Sequence, residues 1–545
     1  MSTGPAGRRT GEPDVNDGGR DMREYIEPWH DDDRPHEECG VIGIYGPGLD
    51  VARLTYFGLH ALQHRGQESA GIAVAGEDGV RIRKRLGLVQ TVFEESDLAH
   101  LRGSLAVGHT RYSTTGSTLP ENAGPMSADS PVGTIVVAHN GNIVNAVRLR
   151  QELEAEGVRF ATTTDTEVLT QLIARAPGDS IVEMLKNALE RCIGAFSLCI
   201  LTESQIIGVR DPNAIRPLCF GEMDGGWVIA SESCALATIG AELVREVNPG
   251  EILIIDGGGW RTDALRGATG RASCIFEFIY FARPDSKMMG ARIYSARQRM
   301  GEELAREAPV EADVVIASPD SATPAAIGYA RASGIPFSEG LIKNRYIGRT
   351  FIQPDQRLRE LGVRLKFNAL PEIVGGKRVV LVDDSIVRAT TSRLIVDLLR
   401  SAGATEVHMR IHSPMIKHPC YLGVDMASYD ELIAARKTLE EIEEELGADS
   451  LAYLSLEGLT RAIGHPRTSF CTACLTGSYP VPVRDAQGKF DLEAQGESQV
   501  DEHDPDLMPV AVNGLAPNGY SGLQSPGDFR RSLLIGDLRR GNDHD

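Results

Sequence analysis

Cys39 lies between an acidic, polar leader and the apolar run GVIGIYG. If the chain is cut after Glu38, Cys39 becomes the N-terminal residue. Its free α-amine, whose pKa is near ~8 in model compounds, can then act as the base for its own thiol. The alternative is a buried strand cysteine, the usual state of a free thiol, and the short motif ECG alone favours that alternative.

Three later motifs supply the groups that an attack on a side-chain amide requires. GHTRYSTTG contains Arg111, which can clamp a carboxylate with two parallel hydrogen bonds. AHNGN contains the Asn140 amide and the Gly141 N–H, two donors suited to an oxyanion. TTTDTEV contains Asp165, an acceptor for an α-ammonium group. Together these groups describe a pocket for a free amino acid and favour a catalytic role for Cys39.

A second chemical motif is VVLVDDSIVRATTS, residues 379–392. A buried strand ends at Asp383 and Asp384, and a turn rich in hydroxyl groups (385–391) leads into an amphipathic helix. Ligands of open α/β sheets bind at the carboxyl ends of strands, and a helix N-terminus attracts phosphate. The two carboxylates can accept bonds from vicinal sugar hydroxyls or hold Mg²⁺. The plain alternative is an acidic strand end followed by a helix cap.

Two further loops are predicted to accompany this motif. PDSATPAA follows a strand and places Ser321 where a pyrophosphate and its metal would lie. GLIKNRYIGRTFI, residues 340–352, contains Lys343, Arg345 and Arg349, and such a loop could close over a pyrophosphate. Without the acidic motif, the same loop would be interpreted as a solvated basic loop.

Four of the nine cysteines lie outside the apolar runs of the first half: Cys274, Cys420, Cys471 and Cys474. The last two form a C-x-x-C motif. From spacing alone, four thiolates predict a zinc or an iron–sulfur site, and zinc is slightly favoured because structural zinc sites are common. Apart from Cys39, the remaining cysteines are predicted to be core residues: Cys192, Cys199, Cys219 and Cys234.

Composition limits the class of protein. A net charge of −20 over 545 residues argues against a general nucleic-acid binder. No apolar run approaches the length of a membrane span, and the polar N-terminus is not a secretory signal. Nine cysteines in a long chain of this kind make a disulfide framework unexpected and suggest a cytoplasmic protein.

The chain divides into four predicted regions. Residues 1–38 form a disordered leader, and 39–270 alternate strands with few helices, which indicates a layered α/β domain with two sheets. Residues 271–482 follow strand–helix–strand order, which implies a parallel sheet. Residues 483–545 are predicted to be a disordered tail. One charged amphipathic helix is predicted over residues 430–446.

The two halves together resemble the amidophosphoribosyltransferase family, over roughly residues 39–480. The first half resembles an N-terminal-nucleophile glutamine amidotransferase domain, which implies a four-layer αββα fold. The second resembles a type I phosphoribosyltransferase domain that binds 5-phosphoribosyl-1-pyrophosphate (PRPP). The implied reaction converts glutamine, PRPP and water to 5-phosphoribosylamine, glutamate and pyrophosphate, the first committed step of purine synthesis.

The resemblance also implies residue roles and partners. Cys39 would be the nucleophile, and ammonia would cross an internal channel to PRPP. One Mg²⁺ per subunit would be held by Ser321, Asp383 and Asp384. One branch of the family has both a cleaved leader and a [4Fe–4S] cluster, which shifts the expected ligand of the four cysteines from zinc to that cluster. The family further implies a homotetramer inhibited by purine nucleotides. The PRPP contacts that it implies are Asp383, Asp384, Ser385, Arg388, Ala389, Thr390, Thr391, Lys343, Arg345 and Arg349.

Three rival functions are less well supported by the sequence. Another glutamine-dependent amidotransferase would share the first half but should lack VVLVDDSIVRATTS. A DNA-binding regulator built on a phosphoribosyltransferase fold would need a basic face and would have no use for Cys39. A catalytically dead homologue should lack at least one of the site residues, and none is missing.

Overall fold

The computed structural model describes residues 39–113, 115–267, 270–344, 366–426, 428–483 and 491–496, with side chains up to 493 in the last range. The predicted leader, most of the basic loop including Arg345 and Arg349, and most of the predicted tail lie outside these residues. Within the described ranges, no helix is both long enough and apolar enough to cross a membrane.

The first part of the chain forms two antiparallel sheets. Sheet I has the strand order β11-β9-β10-β1-β4-β2-β3, and sheet II has the order β13-β12-β8-β7-β6-β5. The strands are β1 Gly40–Tyr45, β2 Ser69–Gly76, β3 Gly79–Leu86, β4 Leu105–Arg111, β5 Met126–Ser130, β6 Gly133–Ile143, β7 Gly194–Leu201, β8 Ile206–Arg210, β9 Cys219–Met223, β10 Gly226–Ala230, β11 Glu242–Glu246, β12 Glu251–Asp256 and β13 Gly259–Ala264. The helices are α1 Val51–Ala61, α2 Val89–Val92, α3 Glu95–His100, α4 Ala146–Ala155, α5 Asp165–Arg175, α6 Ile181–Leu189 and α7 Ser233–Thr238, with a 3₁₀ turn at Pro120–Asn122.

Alternation along the strands produces four layers. Successive side chains of a strand point to opposite faces of its sheet. In β1, Val41 belongs to the apolar cluster between the two sheets, whereas Ile42 and Ile44 belong to the cluster shared with α1 and α7. On sheet II, Val136 faces sheet I, and Val137 faces α4, α5 and α6. The order is therefore helices, sheet, sheet, helices.

The second part contains a parallel sheet of order β17-β20-β21-β22. Val380 and Val382 pack against the cluster that contains α8 and α9, and Leu381 packs on the opposite face, so helices cover both sides. The strands are β14 Ser273–Cys274, β15 Lys287–Met288, β16 Ala291–Arg292, β17 Val314–Ala317, β18 Leu341–Lys343, β19 Phe367–Ala369, β20 Arg378–Asp383, β21 Glu406–Ile411, β22 Ser450–Tyr453 and β23 Phe470–Cys471. The helices are α8 Ile293–Glu307, α9 Thr323–Ser333, α10 Pro371–Val374, α11 Thr390–Ser401, α12 Ile433–Arg436, α13 Leu439–Leu446, α14 Leu456–Ile463, α15 Ala473–Thr476 and α16 Asp491–Gly496, with a π-helical turn at Glu277–Phe281 and 3₁₀ turns at Tyr429–Glu431 and Arg467–Ser469.

Two expectations about local structure are wrong. The single helix predicted over residues 430–446 is interrupted, because Thr438 caps a new helix. Its hydroxyl accepts from the Glu441 N–H, and the Glu441 carboxylate accepts from the Thr438 N–H. The predicted tail contains α16, in which Leu492 is 1% exposed and joins the apolar cluster of α4, α5 and α6. Burial of that leucine explains why this part of the polar segment is ordered.

Candidate active sites

Strand pairing brings the first predicted site together. Cys39 directly precedes β1, and Arg111 ends β4, which is the neighbour of β1 with Gly40 opposite Thr110. Gly141 lies near the end of β6, and Asp165 begins α5. One pocket is lined by Cys39, His109, Arg111, Tyr112, Thr115, Asn122, Gly124, Met126, His139, Gly141, Thr164, Asp165 and Thr166.

The Cys39 thiol is a poor nucleophile in the uncut chain. It donates to the Tyr112 carbonyl at 3.4 Å. Burial raises the pKa of the thiol to about 11, and the nearby Arg111 cation offsets only part of that rise. At neutral pH the group is therefore a protonated thiol, and its own nitrogen is tied up in the peptide bond to Glu38.

Arg111 is held by the loop that follows its own strand. Its guanidinium donates to the Thr115 carbonyl at 3.0 Å and to the Gly116 and Ser117 carbonyls at 3.2 Å. The Glu68 carboxylate lies 3.6 Å away. Three of the five guanidinium N–H donors are thus occupied by carbonyls, which fixes the plane of the group beside the pocket.

Of the two predicted oxyanion donors, Gly141 lines the pocket, whereas the preceding residue Asn140 is not among the lining residues. The Asn140 side chain is 0% exposed, and neither its oxygen nor its nitrogen has a hydrogen-bond partner among the described residues. A buried amide without partners is costly, and such a cost is typical of functional positions. Gly141 has φ of 147°, and a Cβ there would lie 2.0 Å from the Ala195 carbonyl oxygen. Only glycine fits this position.

Asp165 links the helix α5 to the end of β6. Its carboxylate accepts from the Ile143 N–H at 3.0 Å and lies 3.7 Å from His139 Nδ1. Thr164 caps the helix by accepting from the Glu167 N–H. Asp165 as a whole is 5% exposed, and it lines the pocket.

Two further residues line this pocket that were not predicted from the sequence, His109 and Asn122. His109 Nε2 lies 3.1 Å from the His139 carbonyl oxygen, and burial lowers the pKa of the imidazole to about 3. The ring is therefore neutral, and Nε2 carries the hydrogen that bonds the carbonyl. Asn122 donates to the Ser117 carbonyl and to the Thr163 hydroxyl, both at 2.9 Å. His109 lies within the motif GHTRYSTTG, so its motif was available as a signal; Asn122 had none.

The second predicted site forms at the carboxyl end of β20. The Asp384 carboxylate accepts from the Ser321 hydroxyl at 2.5 Å and from the Ser385 hydroxyl at 2.7 Å. The Asp383 carboxylate accepts from the Asp384 N–H at 2.9 Å. Both aspartates are buried. The structure therefore joins the loop after β17 to the acidic pair after β20, as neighbouring parallel strands require.

The turn before α11 ends in a left-handed residue. Ala389 has φ of 68°, a left-handed conformation that is unusual for a residue with a side chain, and it precedes the first turn of α11. Thr390 is exposed at that N-terminus. Arg388 pairs with Glu431 at 2.9 Å, and Lys343 lies 3.7 Å from Asp320. Arg345 and Arg349 lie outside the described residues.

Two buried basic residues that interact electrostatically with Asp384, His412 and Arg297, were also not predicted from the sequence. Burial lowers the pKa of His412 to about 4, against the attraction of Asp384. Burial likewise lowers the pKa of Arg297 to about 10, and its guanidinium donates to the Phe278, Tyr280 and Ala282 carbonyls. Neither residue belongs to a recognisable motif, because each reaches the site only through the packing of its element.

The two halves contact each other beside Gly141. Asn142 donates to the Tyr421 carbonyl at 2.9 Å, and Arg216 donates to the Leu422 carbonyl at 2.9 Å. Gly423 has φ of 107°, and a Cβ there would lie 3.1 Å from the Gly141 Cα. The strand that carries Asn140 and Gly141 therefore packs directly on the segment that contains Cys420.

The four outlying cysteines gather at the junction of the two halves. Cys274 and Cys471 are directly opposite each other in the parallel pair β14·β23. Burial is the main cause that raises the pKa of each of these thiols to about 12, and Cys420 adds to both shifts by repulsion. Burial also raises the pKa of Cys474, and the other three cysteines contribute. Within the described ranges, however, no three Cys, His, Asp or Glu side chains converge tightly enough to hold one metal ion. The other four cysteines lie in or beside the apolar clusters.

The chain is similar to known proteins over most of its length. Residues 109–238 match the model of a glutamine amidotransferase domain. An amidophosphoribosyltransferase from Archaeoglobus fulgidus is 53% identical over 451 residues, which cover 82% of this chain and 98% of the relative. One from Synechococcus elongatus is 51% identical over 457 residues, 83% of this chain and 93% of the relative.

A solved structure of glutamine PRPP amidotransferase from Bacillus subtilis, complexed with ADP and GMP, matches with a TM-score of 0.78 and 48% identity, over 82% of this chain and 99% of that one. The predicted fold, a glutamine amidotransferase domain of the N-terminal-nucleophile type followed by a phosphoribosyltransferase domain, is confirmed by that match. Such similarity along nearly the whole of these relatives shows that the chain belongs to the amidophosphoribosyltransferase family, the glutamine-dependent enzymes of purine biosynthesis.

Proposed function

We propose that Cys39 is the glutaminase nucleophile and that it becomes active when the leader is cut after Glu38. The observation that carries this proposal is the convergence of Cys39, Arg111, Gly141 and Asp165 on one pocket. Cleavage frees the amine that accepts the thiol proton. The half-buried Cys39 thiol of the uncut chain, whose pKa is raised to about 11, lacks such a base.

The reaction in this pocket divides into two chemical steps. Arg111 binds the α-carboxylate of glutamine, and Asp165 binds its α-ammonium group. The Cys39 sulfur attacks the side-chain carbonyl carbon, while the Asn140 amide and the Gly141 N–H stabilise the oxyanion. The C–N bond then breaks, and the leaving nitrogen takes the proton from the α-amine and departs as ammonia. Water cleaves the thioester to give glutamate and the free thiol.

The second site uses that ammonia on PRPP. Ammonia attacks C1 of the ribose, the bond to pyrophosphate breaks, and 5-phosphoribosylamine forms after loss of a proton. Asp383 and Asp384 bind the ribose hydroxyls, and Ser385 with residues 388–391 surrounds the 5′-phosphate at the start of α11. Ammonia released into water would be protonated, so direct passage through a channel between the halves preserves its nucleophilicity.

Mg²⁺ would lie beside Ser321, Asp383 and Asp384. The hydroxyl and carboxylate oxygens of these residues are the hard ligands that Mg²⁺ prefers, and Ser321 already lies 2.5 Å from Asp384. The ion would neutralise the departing pyrophosphate. Lys343, Arg345 and Arg349 would add positive charge from the loop that covers it.

Activity measurements with two nitrogen donors test these assignments. Cys39→Ala should abolish glutamine-dependent synthesis and keep synthesis from added ammonia, whereas Cys192→Ala, a matched change in the same half, should keep both. Asp383→Asn should abolish both, whereas Asp397→Asn, an exposed position of α11, should abolish neither. Loss of both activities in folded Cys39→Ala would contradict the two-site scheme. Intact mass of the purified enzyme should show a chain that begins at Cys39.

The four junction cysteines would bind a [4Fe–4S] cluster. Cys274 and Cys471 lie opposite each other in the pair β14·β23, and Cys420 and Cys474 are close enough to interact electrostatically with them, so the segments supply the four thiolates that such a cluster requires. Its bound form would supply a structural clamp. Iron and sulfide analysis of anaerobically purified protein tests the assignment: Cys420→Ser should lose iron and Cys192→Ser should keep it, whereas stoichiometric zinc without iron would contradict it.

Regulation and assembly form the remaining part of the proposal. The relative solved with ADP and GMP supports purine nucleotides as feedback inhibitors of this chain. A homotetramer in the cytoplasm is the assembly proposed. Light scattering with and without ADP and GMP gives the mass, and inhibition by the two nucleotides gives the regulation; a monomer that neither nucleotide inhibits would contradict both.

A further inference from the structure

The helix α16 contacts the glutaminase half at the rim of its pocket. Leu492 is buried among the side chains of sheet II and α4–α6. The next residue, Glu493, accepts at Oε1 from the Ser117 N–H and, at 3.3 Å, from the Thr163 hydroxyl. An apolar anchor is thus followed at once by a carboxylate that bonds two separate loops.

These two loops carry the groups that recognise glutamine. The carbonyls of Thr115, Gly116 and Ser117 hold the Arg111 guanidinium. Thr163 lies two residues before Asp165, and Asp165 lines the pocket. Glu493 therefore touches the supports of both substrate-binding residues without lining the pocket itself.

The two loops are joined at a second point by Asn122. Its side chain donates to the Ser117 carbonyl and the Thr163 hydroxyl and accepts from the Thr163 N–H at 3.0 Å. The join is tight, because a Cβ on Gly116 would lie 2.7 Å from the Thr163 carbonyl oxygen. Asn122 holds the loops from the inside, and Glu493 holds the same two loops from the outside.

We infer that Glu493 is a positioning residue for glutamine: it holds the loop 115–117 and Thr163 together, so that Arg111 and Asp165 stand ready for the α-carboxylate and α-ammonium groups. The inference rests on the proposed roles of Arg111 and Asp165. An ordered loop does not need to lose further conformational freedom when the substrate binds, and binding is stronger for that reason. The contact acts on glutamine binding and not on the chemistry at Cys39 or at PRPP.

The test compares single substitutions in the enzyme that begins at Cys39 and keeps its complete C-terminal segment. Glu493→Ala removes both hydrogen bonds and should raise the KM for glutamine by at least roughly fivefold, the factor that corresponds to one ordinary hydrogen bond, with kcat unchanged. Glu493→Gln, which keeps an acceptor oxygen, should restore most of the affinity. Leu492→Ala should raise the same KM. Ammonia-dependent activity, which does not use the pocket, should stay at the wild-type level and shows that each variant is folded.

Glu121→Ala is the matched control. Glu121 is an exposed residue in the 3₁₀ turn beside Asn122. The KM of the Glu121→Ala variant for glutamine should equal that of the wild type. An unchanged KM in Glu493→Ala would overturn the inference, and a lowered KM would overturn it in favour of an inhibitory contact. Arg111→Ala separates this outcome from the function proposed above: if that variant keeps its affinity for glutamine, the assignment of Arg111 fails, whatever Glu493 does.

Discussion

The raised pKa of Cys39 allows a quantitative prediction about the uncut chain. With a pKa of about 11, only about 0.1% of the thiol is ionised at pH 8, compared with about 10% for an ordinary thiol of pKa 9.0. Alkylation requires the thiolate. Unprocessed protein, identified by intact mass, should therefore react with iodoacetamide at Cys39 about a hundredfold more slowly than a short cysteine peptide.

The assay is mass spectrometry of the Cys39 peptide after timed alkylation between pH 7 and 11. In the unprocessed chain the rate should rise up to the highest pH, because ionisation of the buried thiol occurs near pH 11. In the processed chain the neighbouring α-amine accepts the proton, and the rate should level off near pH ~8. An unprocessed thiol that reacts as fast as the peptide, or whose rate levels off below pH 9, would refute the argument that burial keeps Cys39 inactive before cleavage.

Three further predictions concern residues around the same half. Gly141→Ala should reduce glutamine-dependent synthesis at least about 100-fold, because the new Cβ would meet the Ala195 carbonyl at 2.0 Å and move the N–H; ammonia-dependent synthesis should persist, and an equal loss of both would contradict this. His109→Phe should lower kcat with glutamine, because the bond from Nε2 to the carbonyl next to Asn140 is lost, while His109→Gln, whose amide can replace that donor, should recover most of it; equal activities in the two variants would exclude a positioning role. Glu232→Ala should lower the free energy of unfolding by about 3–5 kcal/mol, because this buried carboxylate pairs with Arg65 at 2.5 Å and His64 at 2.6 Å. Because these partners hold the pKa of Glu232 well below 4.5, its contribution is fully present above about pH 4.5 and is lost as the pH falls further, so urea titrations of Glu232→Gln should show a smaller loss of stability on acidification than the wild type.

The residues proposed to bind and attack glutamine could be picked from the sequence because each lies in a compact motif. Cys39, Arg111 and Asp165 come from separate parts of the sequence, but Cys39 directly precedes β1, Arg111 ends β4 and Asp165 begins α5. Strand pairing then determines which ends meet. The motif at Asp383 and Asp384 was predictable for the same reason: an acidic pair directly after a run of buried apolar residues can lie only at the carboxyl edge of a parallel sheet.

Other features could not be predicted because they depend on tertiary contacts that the amino-acid sequence does not reveal. The three hydrogen bonds from Arg111 to the loop that follows it require the turn at Gly116, where φ is 77°. The interruption at Thr438 was hidden because the charged pattern on either side is compatible with one continuous helix, and only the reciprocal cap decides between the two forms. In the tail, Leu492 is one apolar residue in a polar segment, and its burial depends on a surface made by a different part of the chain.

The contact between the halves links the segment that contains Cys420 to β6, the strand that carries the proposed oxyanion donor Gly141. Asn142 follows Gly141 in β6, and it bonds the carbonyl of Tyr421, the residue next to Cys420. Gly423 in the same segment packs against Gly141. A group that fixes Cys420 therefore also fixes the surface on which the Gly141 N–H is placed. Since the position of an oxyanion donor matters at the scale of a fraction of an ångström, the proposed clamp at the junction would contribute to the proposed glutamine chemistry without touching the substrate.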